Sequence, residues 1–167
     1  SPDARKLVTI SPDSRDMKVW ELEEHKLFNP HPLSRRDDEI TTISPDGQKV
    51  VVRSLRTDSF LVSDINGQRL ATIPRHSQSL EEVSFSADSE KIAILGDDFT
   101  TRLFDLSGQE LLSVDGSEHQ TGITIFSPDG RYFGNPTTDG TARIWDFSGK
   151  EVVFLENYGT YITAMAF

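Results

Sequence analysis

The sequence predicts an all-β chain, a β-propeller type of array in which four short units of four strands follow one another. Three observations predict it. The triplet Ser-x-Asp occurs as Ser1-Pro2-Asp3, Ser44-Pro45-Asp46, Ser86-Ala87-Asp88 and Ser127-Pro128-Asp129, at spacings of 43, 42 and 41 residues. A second landmark keeps the same beat, since an acidic residue closes each of the pairs Trp20-Glu21, Ser63-Asp64, Phe104-Asp105 and Trp145-Asp146. Finally, Gly, Pro, Asp, Asn and Ser cut every unit into apolar stretches too short for a helix, and no helical period persists for a useful length. A repeat of that size carrying four strands has the dimensions of one propeller blade. A lone four-stranded sheet exposes apolar side chains on both faces, so it must stack on neighbours to bury them.

The units run 1–43, 44–85, 86–126 and 127–167, within a single partial propeller covering 1–167. Each opens on the Ser-x-Asp turn, where Asp caps backbone N–H groups, Pro fixes φ in the first, second and fourth units, and a following Gly takes positive φ in the second and fourth. The first strand then carries Val8 and Ile10, Val50 and Val52, Ile92 and Ile94, or Phe133, and the second Val19, Leu61, Leu103 or Ile144. These residues are expected in the cores between sheets. In the last unit the strands are expected over 131–136, 141–146, 151–155 and 161–167. The tight turns are Asp139-Gly140 and Ser148-Gly149. The turn after the second strand repeats as Asn66-Gly67-Gln68, Ser107-Gly108-Gln109 and Ser148-Gly149-Lys150, whereas the first unit has Glu23-Glu24-His25 there.

Composition narrows the function. Hydrophobic residues make up 35% and charged residues 26%, mean hydropathy is −0.42, and no apolar run approaches the roughly 18 residues of a membrane span. No membrane insertion is expected. The 17 Lys and Arg against 27 Asp and Glu give a net charge of −10, a field that repels phosphate backbones, so no nucleic-acid partner is expected. The chain has no cysteine, which removes disulfide scaffolds, thiolate zinc sites and cysteine nucleophiles and agrees with a reducing, cytoplasmic setting.

The stretch Phe126-Ser127-Pro128-Asp129-Gly130, then Asp139-Gly140-Thr141-Ala142-Arg143-Ile144-Trp145-Asp146, then Gly149-Lys150-Glu151, resembles the WD-repeat propeller family and in particular its bacterial, cyanobacterial-type arrays. The resemblance covers all four units, weakening from the fourth to the third and first and most in the second, where Ser63 stands in the Trp position. It implies side chains that lock each blade: a His, a Ser or Thr, an Asp and the Trp. Carried over residue by residue, these are Thr137, Asp139, Trp145 and Asp146 in the fourth unit, His76 and Asp98 in the third, and Trp20 in the first. The set is incomplete, because Ser117 holds the fourth unit's His position, with His119 two residues later, and Gly96 and Phe104 replace the hydroxyl and the indole in the third. Such rings usually have about seven blades, so the remaining blades are expected in the same polypeptide or a second copy.

Catalytic motifs are missing from the sequence. The histidines His25, His31, His76 and His119 form no H-E-x-x-H pattern, and neither a G-x-S-x-G elbow nor a phosphate-binding loop occurs. The acidic pairs Asp37-Asp38, Glu81-Glu82 and Asp97-Asp98 lack a calcium-loop frame and are expected in solvated turns. No cofactor, metal or catalytic residue is expected. Recognition falls to the loops, where Arg35, Arg36, His119, Tyr158 and Tyr161 are of types used at interfaces. The expected function is a non-enzymatic scaffold or sensor that binds a protein or peptide, serving a larger signalling protein. The alternative is a substrate-gating propeller of the TolB-like or prolyl-peptidase type, joined to a hydrolase or translocation system, which uses similar turns.

Overall fold

The computed structural model describes residues 6–10, 17–22, 26–28, 38–76, 82–116, 123–137, 140–155, 162 and 165–167. All regular structure among them is β. The chain divides into two compact units, residues 1–75 with 106–108, and residues 76–105 with 109–167. The first unit holds a three-stranded sheet of β1 (Lys6–Ile10), β2 (Met17–Glu21) and β3 (Lys26–Phe28), and a four-stranded sheet of β4 (Asp38–Ile43), β5 (Lys49–Ser54), β6 (Ser59–Asp64) and β7 (Arg69–Pro74). The second holds a sheet of β8 (Glu82–Phe85), β9 (Lys91–Leu95), β10 (Thr100–Asp105) and β11 (Glu110–Asp115), and another of β12 (Ile125–Phe126), β13 (Tyr132–Pro136), β14 (Ala142–Asp146) and β15 (Glu151–Leu155). Every sheet is an antiparallel meander in chain order, the topology of a propeller blade.

The sheets are offset by one strand from the sequence repeats. β4, β8 and β12 each precede a Ser-x-Asp turn and pair with the strand that follows it. The turn is therefore an internal hairpin of the blade. Its chemistry repeats: Ser44 Oγ donates to Asp46 Oδ1 and accepts the Lys49 N–H at 2.9 Å, while Asp46 Oδ1 accepts the Gln48 N–H at 2.9 Å. Ser86 with Asp88 and Ser127 with Asp129 do the same. Ser44, Ser86 and Ser127 are buried, so these hydroxyls serve the turn. Of the segment expected as a fourth strand at 161–167, the described residues Ile162 and Met165–Phe167 are not in a strand, because the fourth strand of the last sheet is β12, which precedes the Ser127 turn.

The central strands are buried on both faces. Val50, Val51 and Val52 are 0%, 0% and 1% exposed, a continuous apolar run instead of the alternation of a one-sided sheet. Of the expected core residues, Val50, Val52, Leu61, Ile92, Ile94, Leu103 and Phe133 are buried, and Ile144 is half-buried. The side chains of Val8, Ile10 and Val19 lie outside the described residues. In the second unit Ala93, Leu103 and Val114 of one sheet meet Phe133 and Trp145 of the other, with Leu112, Phe126 and Phe147 around them. Phe133 stacks on Trp145 at 5.6 Å and tilts against Phe147 at 5.6 Å.

Candidate interaction surface

In the second, third and fourth repeats the turn after the second strand is built on the acidic landmark. Asp64 Oδ1 accepts the N–H groups of Asn66 and Gln68 at 2.9 and 2.8 Å, Asp105 Oδ1 that of Gln109 at 2.9 Å, and Asp146 Oδ1 those of Ser148 and Lys150 at 2.9 and 3.1 Å. The role of Asp146 is thus local capping. The Ser148 hydroxyl and these backbone donors hold its carboxyl below the ordinary value, against a smaller desolvation.

The other residues expected to lock blades are placed as follows. Trp145 is 3% exposed and fills the core described above. Trp20, expected to lock the first repeat, is 36% exposed beside its exposed cross-strand partner Leu7 and donates from Nε1 to Thr9 Oγ1 at 3.0 Å. Thr137 is buried and closes the β13–β14 hairpin, accepting the Thr141 N–H at 3.0 Å and sharing a 2.8 Å hydroxyl contact with Thr141. In the third repeat Gly96 occupies the Thr137 position, and a Cβ there would lie 2.6 Å from Asp98 Oδ1. Asp98 pairs with Arg102 at 2.6 Å and accepts the Thr100 N–H at 3.1 Å. The guanidinium is the main cause that holds its carboxyl below the ordinary value. His76 stacks on Phe104, the residue in the Trp position, with centroids 5.9 Å apart and planes 12° apart. Asp139, Arg35, Arg36, His119, Tyr158 and Tyr161 lie outside the described residues.

Two features escaped the sequence reading. Asn135 is fully buried on β13, where Val52 and Ile94 stand in the second and third repeats and Thr9 in the first. It donates from Nδ2 to Thr101 Oγ1 and Thr124 Oγ1 at 3.2 and 3.1 Å. Its Oδ1 has no partner among the described residues. The signal was a polar residue at a position that is apolar in the second and third repeats. The other feature is β15, exposed along its whole length, with Val152, Val153, Phe154 and Leu155 between 38% and 47% exposed. Among the described residues no group of three His, Asp or Glu is placed to hold a metal ion.

Comparison with known proteins supports the WD-repeat assignment. Residues 108–146, ending on Trp145-Asp146, match the WD40 family, described as WD domain, G-beta repeat. The crystal structure of the computationally designed Ika8 protein aligns with 98% of this chain, with TM-score 0.74 and 26% identity. The chain spans 50% of that protein's length. No curated protein matches. With 1135 solved chains matching, the fold is widely shared and selects no function by itself.

Proposed function

We propose that the chain is a non-enzymatic WD-repeat module that binds a protein or peptide, acting as scaffold or sensor for a larger, bacterial, cytoplasmic signalling protein. WD40 repeats typically mediate protein–protein interaction, and the match over residues 108–146 is the observation that carries this reading. The internal chemistry agrees with it. Asp46, Asp64, Asp88, Asp98, Asp105 and Asp146 all hold turns by accepting backbone N–H groups. Such turns make a rigid frame, and recognition is then placed on the loops the frame presents. The cysteine-free sequence agrees with a cytoplasmic address. The loop residues Arg35, Arg36, His119, Tyr158 and Tyr161 are proposed to contact the partner.

The test immobilises the chain as bait in a lysate of its source and identifies what it retains by mass spectrometry. Alanine at Arg35 with Arg36, or at Tyr158 with Tyr161, is expected to reduce retention of a specific protein about tenfold while leaving Tm unchanged. Retention unaffected by both pairs, or lost only together with Tm, would overturn the assignment of those loops.

A further inference from the structure

We propose that the exposed Asn66-Gly67 turn is a modification site, at which Asn66 deamidates spontaneously to aspartate and isoaspartate at a rate set by the Asp64 cap. Of the four asparagines only Asn66 precedes a glycine, whereas Asn29 and Asn135 precede proline and Asn157 precedes Tyr158. That order decides the chemistry, which needs the next residue's backbone nitrogen as nucleophile. Proline has no N–H to lose, and a tyrosine side chain crowds the attacking nitrogen, while glycine leaves it open. Asn66, Gly67 and Gln68 are all exposed between β6 and β7, so solvent reaches both reacting groups. The third and fourth repeats build the same capped turn with Ser107-Gly108 and Ser148-Gly149. A serine side chain has no carbonyl to attack, so among these three turns the reactive amide belongs to the second repeat alone.

In the reaction the Gly67 nitrogen loses its proton to solvent hydroxide and bonds to Asn66 Cγ, and the Cγ–Nδ2 bond breaks to release ammonia. Water then opens the cyclic imide at either carbonyl and leaves a carboxylate, with no oxidant or reductant involved. The turn holds both reacting groups back. Gly67 N–H donates to the Asp64 carbonyl oxygen at 3.1 Å, Asn66 N–H to Asp64 Oδ1 at 2.9 Å, and Asn66 Nδ2 to Asp64 Oδ2 at 3.4 Å. Gln68 N–H also donates to Asp64 Oδ1, at 2.8 Å. Attack requires the Gly67 nitrogen and the Asn66 side chain to leave these partners, so its rate follows local opening of the turn and not unfolding of the sheet. The product does not fit the old geometry. A new carboxylate meets Asp64 where an amide had donated, and the isoaspartyl form lengthens the main chain by a methylene inside the turn. Ile65 N–H donates to the Gln48 carbonyl oxygen at 2.9 Å, so the change also reaches the neighbouring Ser44 turn.

The test incubates the whole chain at mildly alkaline pH and follows its peptides by mass spectrometry, with isoaspartate identified by electron-transfer fragmentation. The peptide holding Asn66 should gain the mass of an amide-to-acid exchange and divide into aspartyl and isoaspartyl forms, and Asn66→Ser should abolish both. Asp64→Ala is expected to speed the conversion about fivefold by removing the cap. Asp146→Ala, which removes the same cap from the fourth repeat's turn, should leave the rate at Asn66 unchanged, with circular dichroism showing that each variant keeps its sheets. If Asp64→Ala fails to fold, Asp64→Asn takes its place; it keeps an uncharged acceptor and should speed the conversion about twofold. An unchanged Asn66 peptide in the folded chain, under conditions that convert the urea-unfolded chain, would overturn the site. Equal acceleration by Asp64→Ala and Asp146→Ala, or none by either Asp64 variant, would overturn the role of the cap.

Discussion

Ser44, Ser86 and Ser127 each place one buried hydroxyl between an Asp carboxylate and the backbone that returns from the turn. Repetition of the triplet is the trace of that geometry, which is why the turn was legible from sequence: its partners lie within five residues. The carboxylates carry a pH dependence. Burial raises the pKa of Asp46, but the Ser44 hydroxyl, the Gln48 N–H and the Lys49 ammonium outweigh it, so the net value falls below the ordinary 3.8. A carboxyl lowered in the folded state contributes stability above 3.8, and that contribution is lost as pH falls through the lower folded value. Asp46→Asn is therefore expected to cost about 0.5–1 kcal/mol at pH 6, a figure kept small because the side chain is 39% exposed. The difference from wild type should vanish near pH 2 (roughly, two units below the ordinary value). Urea denaturation at the two pH values measures it, and an equal loss at both would show that the ionised form is not what stabilises the turn. Asn135 was illegible for the opposite reason. Its partners Thr101 and Thr124 come from distant strands, and nothing local announces a polar group in the core.

Outer strands depend on the glycine of the following turn. A Cβ on Gly108 would lie 3.2 Å from that of Ala71, over β7, and one on Gly149 would lie 2.8 Å from Leu112 Cδ1, over β11. Both glycines have positive φ, +84° and +83°, so two separate penalties meet at one position. Gly149→Ala should lower stability by about 2 kcal/mol, part steric and part conformational. Leu112→Val in the same chain removes the δ carbon and should recover about 1 kcal/mol through a favourable coupling in a double-mutant cycle read from urea midpoints. Strict additivity would show that φ alone carries the cost. The sequence showed these turns and all three strands of the last hairpins, because local turn formers bound them. It did not show which sheet the strand before each Ser-x-Asp joins, since hairpin pairing across the turn and stacking on the previous unit predict the same apolar pattern.

At the scale of the molecule, the propeller-type architecture was legible because a period near 42 residues averages over the weak second repeat. The proposed partner loops were named by residue type alone, and they lie outside the described residues.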